Sequence, residues 1–185
     1  MRVLQGESVP SSEKIVSLFE PHTAIIRKGK LGKRVEFGRV LWLDEVEGGV
    51  VSGYRVLVGS PAEDNQVQPS LEHHRALFAK PPSLFAADRG VYSPKVEQLV
   101  RDAGVCHVVM PKPGAKSEAR VAHERQGWFW RGRNWRSGIE GRISVLKRRH
   151  KLNRCLYHGD EGMERWTGWG VIAHDLHKIA QTLAA

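Results

Sequence analysis

Apolar positions fall into short alternating runs up to about residue 110 and into a helical period beyond it. IVSLF (15–19) reads as a β-type run stopped by Pro21. VEFGRVLWLDE (35–45) and VVSGYRVLVG (50–59) alternate as strands, and Gly48–Gly49 supplies a hairpin turn between them. PAEDNQVQPSLEHHRALFAK (61–80) predicts a helix with an acidic first turn and with Leu71, Leu77 and Phe78 inward. SLFAADRG (83–90) is a short apolar strand ending at Asp88, and SPKVEQLVRDAG (93–104) a helix with a Ser cap and a Gly stop. VCHVVM (105–110) reads as a buried strand closed by PKPG. A Trp-rich helix over 128–149 follows, then a loop through YHGDEG (157–162) and a terminal helix over 163–184. Hairpin, helix, strand, helix, strand and helices in that order describe an α/β protein, one mixed sheet flanked by helices, as a single domain over 1–185 with a loop-like lead-in.

The helix WFWRGRNWRSGIEGRISVLKRR organises the rest. At 100° per residue, Arg136, Glu140 and Lys147 lie within about 40° of one another, so one carboxylate sits between two cations. Trp135, Ile139, Ile143 and Leu146 form an apolar stripe beside them. An ordinary surface helix with i,i+4 pairs accounts for the charges. It does not account for Gly138 and Gly141, each costing about 1 kcal/mol in a helix interior, which suit close approach of a large object such as a nucleic-acid backbone.

Charge sharpens this picture. The chain of 185 residues carries a formal net charge of +9, yet thirteen Lys or Arg stand against three acids between Lys112 and Arg154, a local balance of +10. Basicity concentrated in one segment is the footprint of a polyanion partner. Cys106 and Cys155 have neither disulfide-framework nor zinc spacing, which suits a reducing cytosol. No apolar run reaches the roughly 20 residues of a membrane span, and the N-terminus does not read as a signal peptide. A soluble cytoplasmic protein is expected.

Asp88 ends its strand where open α/β sheets gather their chemistry, although an Asp there also serves as a turn residue. Two carboxylates beside a basic belt are what a divalent cation needs for phosphodiester chemistry, since the cation offsets the repulsion between acids and phosphates.

LFAADRGVYS and RSGIEGRISVLKRR resemble the catalytic core of bacterial insertion-sequence transposases of the DDE type, whose fold is RNase H-like. The Arg-x3-Glu-x6-Lys spacing at Arg136, Glu140 and Lys147 matches that family's motif. EKIVSLFEPHTAIIRKGK, VEFGRVLWLDEVEGG, ERWTGWGVIAHDL and the GESVP lead-in are similar to the C-terminal half of the insertion-sequence group labelled ISNCY. The resemblance implies Asp88 and Glu140 as the second and third metal-binding acids, with Mg²⁺ or Mn²⁺ as cofactor. It implies Arg136 and Lys147 as DNA-contacting cations, and the local basicity adds Arg133, Arg142, Arg148 and Arg149 to the expected DNA-binding set. The partners implied are insertion-sequence ends and target DNA in the bacterial nucleoid, with a second copy or a full-length transposase as protein partner.

Two positions depart from the family. Arg133 stands where the motif has Tyr. The first acid belongs on a central strand upstream of the GESVP-like segment, so this chain is expected to lack both the strand and the acid. Glu20, Asp44 and Asp64 are candidate substitutes, each with a local role of its own. Outside the motif, Trp128, Trp130 and Trp135 suit either base stacking or core packing. The loop RKGKLGKR (27–34) suits either a phosphate track or a solvated hairpin. His174 and His177 lack a third ligand and read as structural.

Overall fold

The computed structural model describes residues 2–10, 13–21, 23–27 and 35–184, without the side chains of Arg2 and Val3. The protein is mixed α/β, and its chain order follows the hydrophobic pattern. β1 (Ala24–Arg27) pairs antiparallel with β2 (Val35–Gly38), and β3 (Val40–Val46) with β4 (Val50–Leu57). Helix α1 (Val67–Phe78) leads to β5 (Leu84–Ala86), then α2 (Pro94–Asp102) to β6 (His107–Val109), which lies parallel to β5. Helices α3 (Glu118–Glu124), α4 (Gly127–Arg149) and α5 (Gly159–Leu183) complete the described chain.

Several expectations need correction. The strands form three separate two-stranded sheets and not one mixed sheet. Each of these strands has a ladder partner on one side only. IVSLF forms no strand: Ile15, Leu18 and Phe19 are exposed, and a Ser17 hydroxyl accepting the Glu20 amide closes a turn there. The run over 35–45 is two strands broken at Arg39, serving two hairpins, and β1, AIIR, is too short at four residues to carry a periodic signal. The acidic first turn of the 61–80 helix is a separate 3₁₀ turn, Glu63–Gln66. Leu71 is buried as expected, but Leu77 and Phe78 are exposed, and Val67 turns inward with Leu71. The YHGDEG loop already belongs partly to α5. The basic loop over 28–34 lies outside the described residues.

Two hydrophobic clusters result. The larger joins Val67 and Leu71 of α1, Val96 and Val100 of α2, and Val108 and Met110 at β6. The smaller joins Val51, Leu146 and Val171, with the β3–β4 hairpin between α4 and α5. α4 touches both. Gly132 lets it lie directly on the parallel pair, since a Cβ there would stand 2.7 Å from Val109 Cγ2 and 3.1 Å from Leu84 Cδ1. Fourteen residues on, Leu146 is buried in the second cluster.

A buried ion network fixes α2 and α3 against β6. Both Glu97 carboxylate oxygens accept from Arg120 Nη1 at 2.8 and 2.9 Å, while Arg120 Nη2 reaches the Met110 carbonyl and Nε reaches Glu124. The guanidinium also lies 5.0 Å from the Tyr92 ring centroid. Lys116, the Lys112 amide and Arg120 outweigh burial and hold the Glu124 carboxyl down at about 2.

At the other end of α4, His150 and His174 meet edge to face at 5.5 Å. His174 is buried and its Nε2 donates to the Gly49 carbonyl, while the neighbouring Asp175 carboxylate accepts the Val51 amide. Those bonds tie α5 to the hairpin turn and give His174 a structural role. His177 hydrogen-bonds Gln181 instead. Burial, with His174, His177 and Arg149 nearby, lowers the His150 pKa below its ordinary 6.5.

The glycines of α4 make opposite predictions. Gly138 and Gly141 face open space, so Ala at either stabilises by about 0.5–1 kcal/mol. Gly132→Ala costs about 1–3 kcal/mol by overpacking. Urea unfolding of the three variants separates these outcomes. The His150 junction adds a pH dependence. A lowered folded pKa means the unfolded state binds the extra proton, so this stabilisation is complete above about pH 6.5 and is lost as pH falls through the folded value. Replacing His150 with Gln flattens the thermal midpoint against pH below neutrality, and an unchanged slope refutes the assignment.

Candidate nucleic-acid and acid-pair site

Sequence-distant acids meet across one guanidinium. Asp88 lies two residues beyond β5 and caps the short 3₁₀ turn Arg89–Val91, its Oδ1 accepting the Arg89 amide at 2.7 Å. Its other oxygen, Oδ2, stands 3.1 Å from Arg136 Nη2. The same Nη2 stands 4.0 Å from Glu140 Oε1, one turn further along α4. The two carboxylate oxygens are therefore no farther apart than the sum of those distances. Gly132 explains the meeting: by seating α4 on β5 and β6, it brings the next turn, with Arg136, over the end of β5.

The pair is open to solvent. Asp88 and Glu140 side chains are 56 % and 75 % exposed, whereas Arg136 is 24 % exposed. Exposed pairs of this kind contribute about 0.2–1 kcal/mol each, so the arrangement adds little to stability. Glu63 approaches the same loop, its Oε2 lying 3.2 Å from where a Gly90 Cβ would be. Its sequence signal was only a helix's acidic first turn, and the close approach depends on Gly90.

The candidate substitutes for a further acid are engaged or elsewhere. Glu20 meets His158 Nδ1 at 3.0 Å. Asp44 accepts from Trp42 Nε1 at 2.8 Å and from the Ser70 hydroxyl at 2.6 Å, which ties β3 to α1. Asp64 is exposed in the Glu63–Gln66 turn. Among the described residues no group of three His, Cys, Asp or Glu side chains is gathered as a metal cluster. Asp88 and Glu140 suit one hard cation by donor type, because Mg²⁺ keeps several waters and takes one or two carboxylates. Arg136 places positive charge between them.

The basic side chains of α4 divide by face. Lys147, Arg133, Arg148 and Arg149 are exposed, with Arg148 bonded to the Ser144 hydroxyl. Arg142 turns the other way. It donates to Glu45 at 2.9 Å and its guanidinium covers Gly49, so it anchors α4 to the hairpin and leaves the exposed belt. The sequence reading groups it with the DNA-facing cations; spacing along α4 does not set it apart, because its inward turn is decided by Glu45 and Gly49 of the hairpin. Trp135 also departs from expectation, being exposed as Trp130 is, while Phe129 is buried. Trp128 packs edge to face on His107, His123 and Phe129. Cys106 and Cys155 are free thiols.

No helix among the described residues is long and apolar enough to cross a membrane. The chain matches no family model, no curated protein and no solved structure.

Because Arg136 is weakly coupled to the fold, Arg136→Gln is expected to cost less than about 1 kcal/mol. Arg120→Gln, which leaves Glu97 buried without its bidentate partner, is expected to cost about 3 kcal/mol or more. Denaturant titration of both variants tests the contrast, and equal losses would make Arg136 a structural residue.

Proposed function

We propose that the chain is the C-terminal part of a DDE-type transposase catalytic domain of RNase H-like architecture, which binds DNA along the exposed face of α4. The observation that carries this reading is the convergence of Asp88 and Glu140 on Arg136, two acids from separate elements brought together within a strongly basic segment. The order of hairpin, helix, strand, helix, strand and long helix supports it. So does the open surface above Gly138 and Gly141, which admits a bulky phosphate backbone.

In this reading Arg136 and Lys147, with the exposed Arg133, Arg148 and Arg149, neutralise phosphates along the helix. Binding of this kind releases counterions and is largely indifferent to base sequence. Asp88 and Glu140 are the residues that would hold Mg²⁺ or Mn²⁺, which when bound supplies Lewis-acid stabilisation of the phosphoryl oxygens. Arg136 balances the two acids before DNA arrives and can turn to a phosphate when another cation takes its place. A second reading, a remnant that binds DNA or an intact transposase without catalysis, follows from the acid count. Two-metal phosphoryl transfer uses ions about 3.5–4 Å apart, and two carboxylates suffice for one ion.

Affinity for duplex DNA is expected to fall by about 10³–10⁵ between 50 and 200 mM salt if some 6–10 phosphates are engaged. Arg136→Gln and Lys147→Gln should each reduce the salt slope by about one, whereas Arg142→Gln should leave it unchanged. A flat salt dependence would refute DNA binding, and an Arg142 effect equal to that of Lys147 would refute the assigned face. With Mg²⁺ or Mn²⁺ the purified chain is expected not to nick supercoiled plasmid. Metal-dependent nicking abolished by both Asp88→Ala and Glu140→Ala would select the catalytic reading over the remnant.

A further inference from the structure

The arginines that hold this fold together share a pattern that Arg136 reverses. Arg120 and Arg142 each answer acids that are nearly buried, Glu97 and Glu124 for the first and Glu45 for the second. Arg120 also spends all three of its guanidinium nitrogens on the protein. Arg136 is less exposed than either acid it meets, and it reaches both through one nitrogen, Nη2, at 3.1 Å from Asp88 Oδ2 and 4.0 Å from Glu140 Oε1. Ion pairs with solvated acids add little to stability and cost little to open. The fold therefore does not need this guanidinium where it stands.

Charge says what its place is for. Asp88 and Glu140 together carry −2, and Arg136 between them returns +1. A divalent cation that comes to the two carboxylates while Arg136 stays meets a like charge at contact distance, where Coulomb repulsion is strongest. Once Arg136 leaves, the acids present −2, which a 2+ ion neutralises in full. A phosphate is the group suited to draw it away, because the planar guanidinium offers an anion of that shape two parallel donors. Lys147, on the same side of α4 and exposed, brings a phosphate backbone to this face.

We propose that Arg136 is an exchangeable plug that couples the two ligands of the site. In the free chain it holds the cation position between Asp88 and Glu140, and a DNA phosphate that draws it out opens that position to Mg²⁺ or Mn²⁺. This rests on the DNA- and metal-binding reading above and adds its regulation. Linkage makes the coupling reciprocal, so each ligand raises the affinity of the chain for the other by the same factor. Simple screening has the opposite sign, since added cations compete with a protein for phosphates and weaken its hold on DNA.

Two binding measurements on the full chain test the exchange. Affinity for duplex DNA is read by fluorescence anisotropy at constant ionic strength, with and without Mn²⁺. Affinity of the DNA-free chain for Mn²⁺ is read by electron paramagnetic resonance of the unbound ion. The wild type is expected to bind DNA about tenfold more tightly with Mn²⁺ present. Arg136→Gln is expected to bind Mn²⁺ without DNA about tenfold more tightly than the wild type, and to lose the effect of Mn²⁺ on DNA affinity. Asp88→Asn, which keeps a capping side chain, is expected to lose Mn²⁺ binding and that effect together. Should Arg136→Gln fail to fold, Arg136→Met keeps the apolar stem without the charge and takes its place. A wild-type DNA affinity that Mn²⁺ leaves unchanged or lowers, while each ligand still binds the chain, overturns the exchange and leaves the reading of the site intact. So does an Arg136→Gln that matches the wild type in both measurements. A wild type that binds no DNA, or no Mn²⁺ with or without DNA, overturns the reading itself and the exchange with it.

Discussion

The close contact of Gly132 with Val109 and Leu84 is the constraint on which the candidate site depends. A side chain at that position would lift α4 from the parallel pair β5–β6, and everything carried by the helix would move with it. Because α4 is a rigid rod of 23 residues, one point of close packing sets the position of all its turns. Arg136, on the next turn, comes over the end of β5, and Asp88 waits there as the cap of a short 3₁₀ turn. Leu146, further along, reaches the second cluster and joins the hairpin to α5. The Arg120 network works beside this contact, holding α2 and α3 against β6 through a guanidinium that is nearly enclosed by acids, a carbonyl and an aromatic ring.

One helix thus carries three kinds of arginine. Arg142 is consumed by the fold, since its charge answers the buried Glu45. Arg136 stands between two exposed acids and contributes little to stability, which leaves it available for exchange with another cation or a phosphate. Arg133, Arg148 and Arg149 are displayed. Counting charge along the sequence treats these alike, whereas their contacts separate them: Arg142 meets Glu45 and Gly49 of the hairpin, and Arg136 meets Asp88 and Glu140. The same division explains the glycines. Gly132 is required by a neighbour inside the protein, while a Cβ at Gly138 or Gly141 would meet nothing within 4 Å among the described residues.

α5 shows the same division of faces. Its inner face closes the second cluster through Val171 and reaches the hairpin turn through His174 and Asp175. Its outer face carries exposed apolar residues from Trp169 to Leu183. Among the described residues only its inner face is covered.

Periodicity alone was enough to read the β3–β4 hairpin, α2 with its Ser93 cap, the two short strands β5 and β6, and the full length of α4, because each has its own strong local signal. Spacing also placed Arg136, Glu140 and Lys147 on one face, since helix geometry converts residue number directly into angle. The failures have a common physical cause. IVSLF has strand-like composition but no partner, Leu77 and Phe78 have no surface to meet, and the expected single sheet divides into pairs because ladder bonds need a neighbouring strand that local sequence cannot guarantee. Asp88 could be recognised as an acid at a strand end, yet its meeting with Glu140 through Arg136 required the contact at Gly132, between residues remote in sequence. The inward turn of Arg142 depended likewise on Glu45 and Gly49 arriving from another element. Local periodicity determined which residues form elements and which share a face; only tertiary packing decided which faces meet, because that depends on close contacts between side chains far apart along the chain.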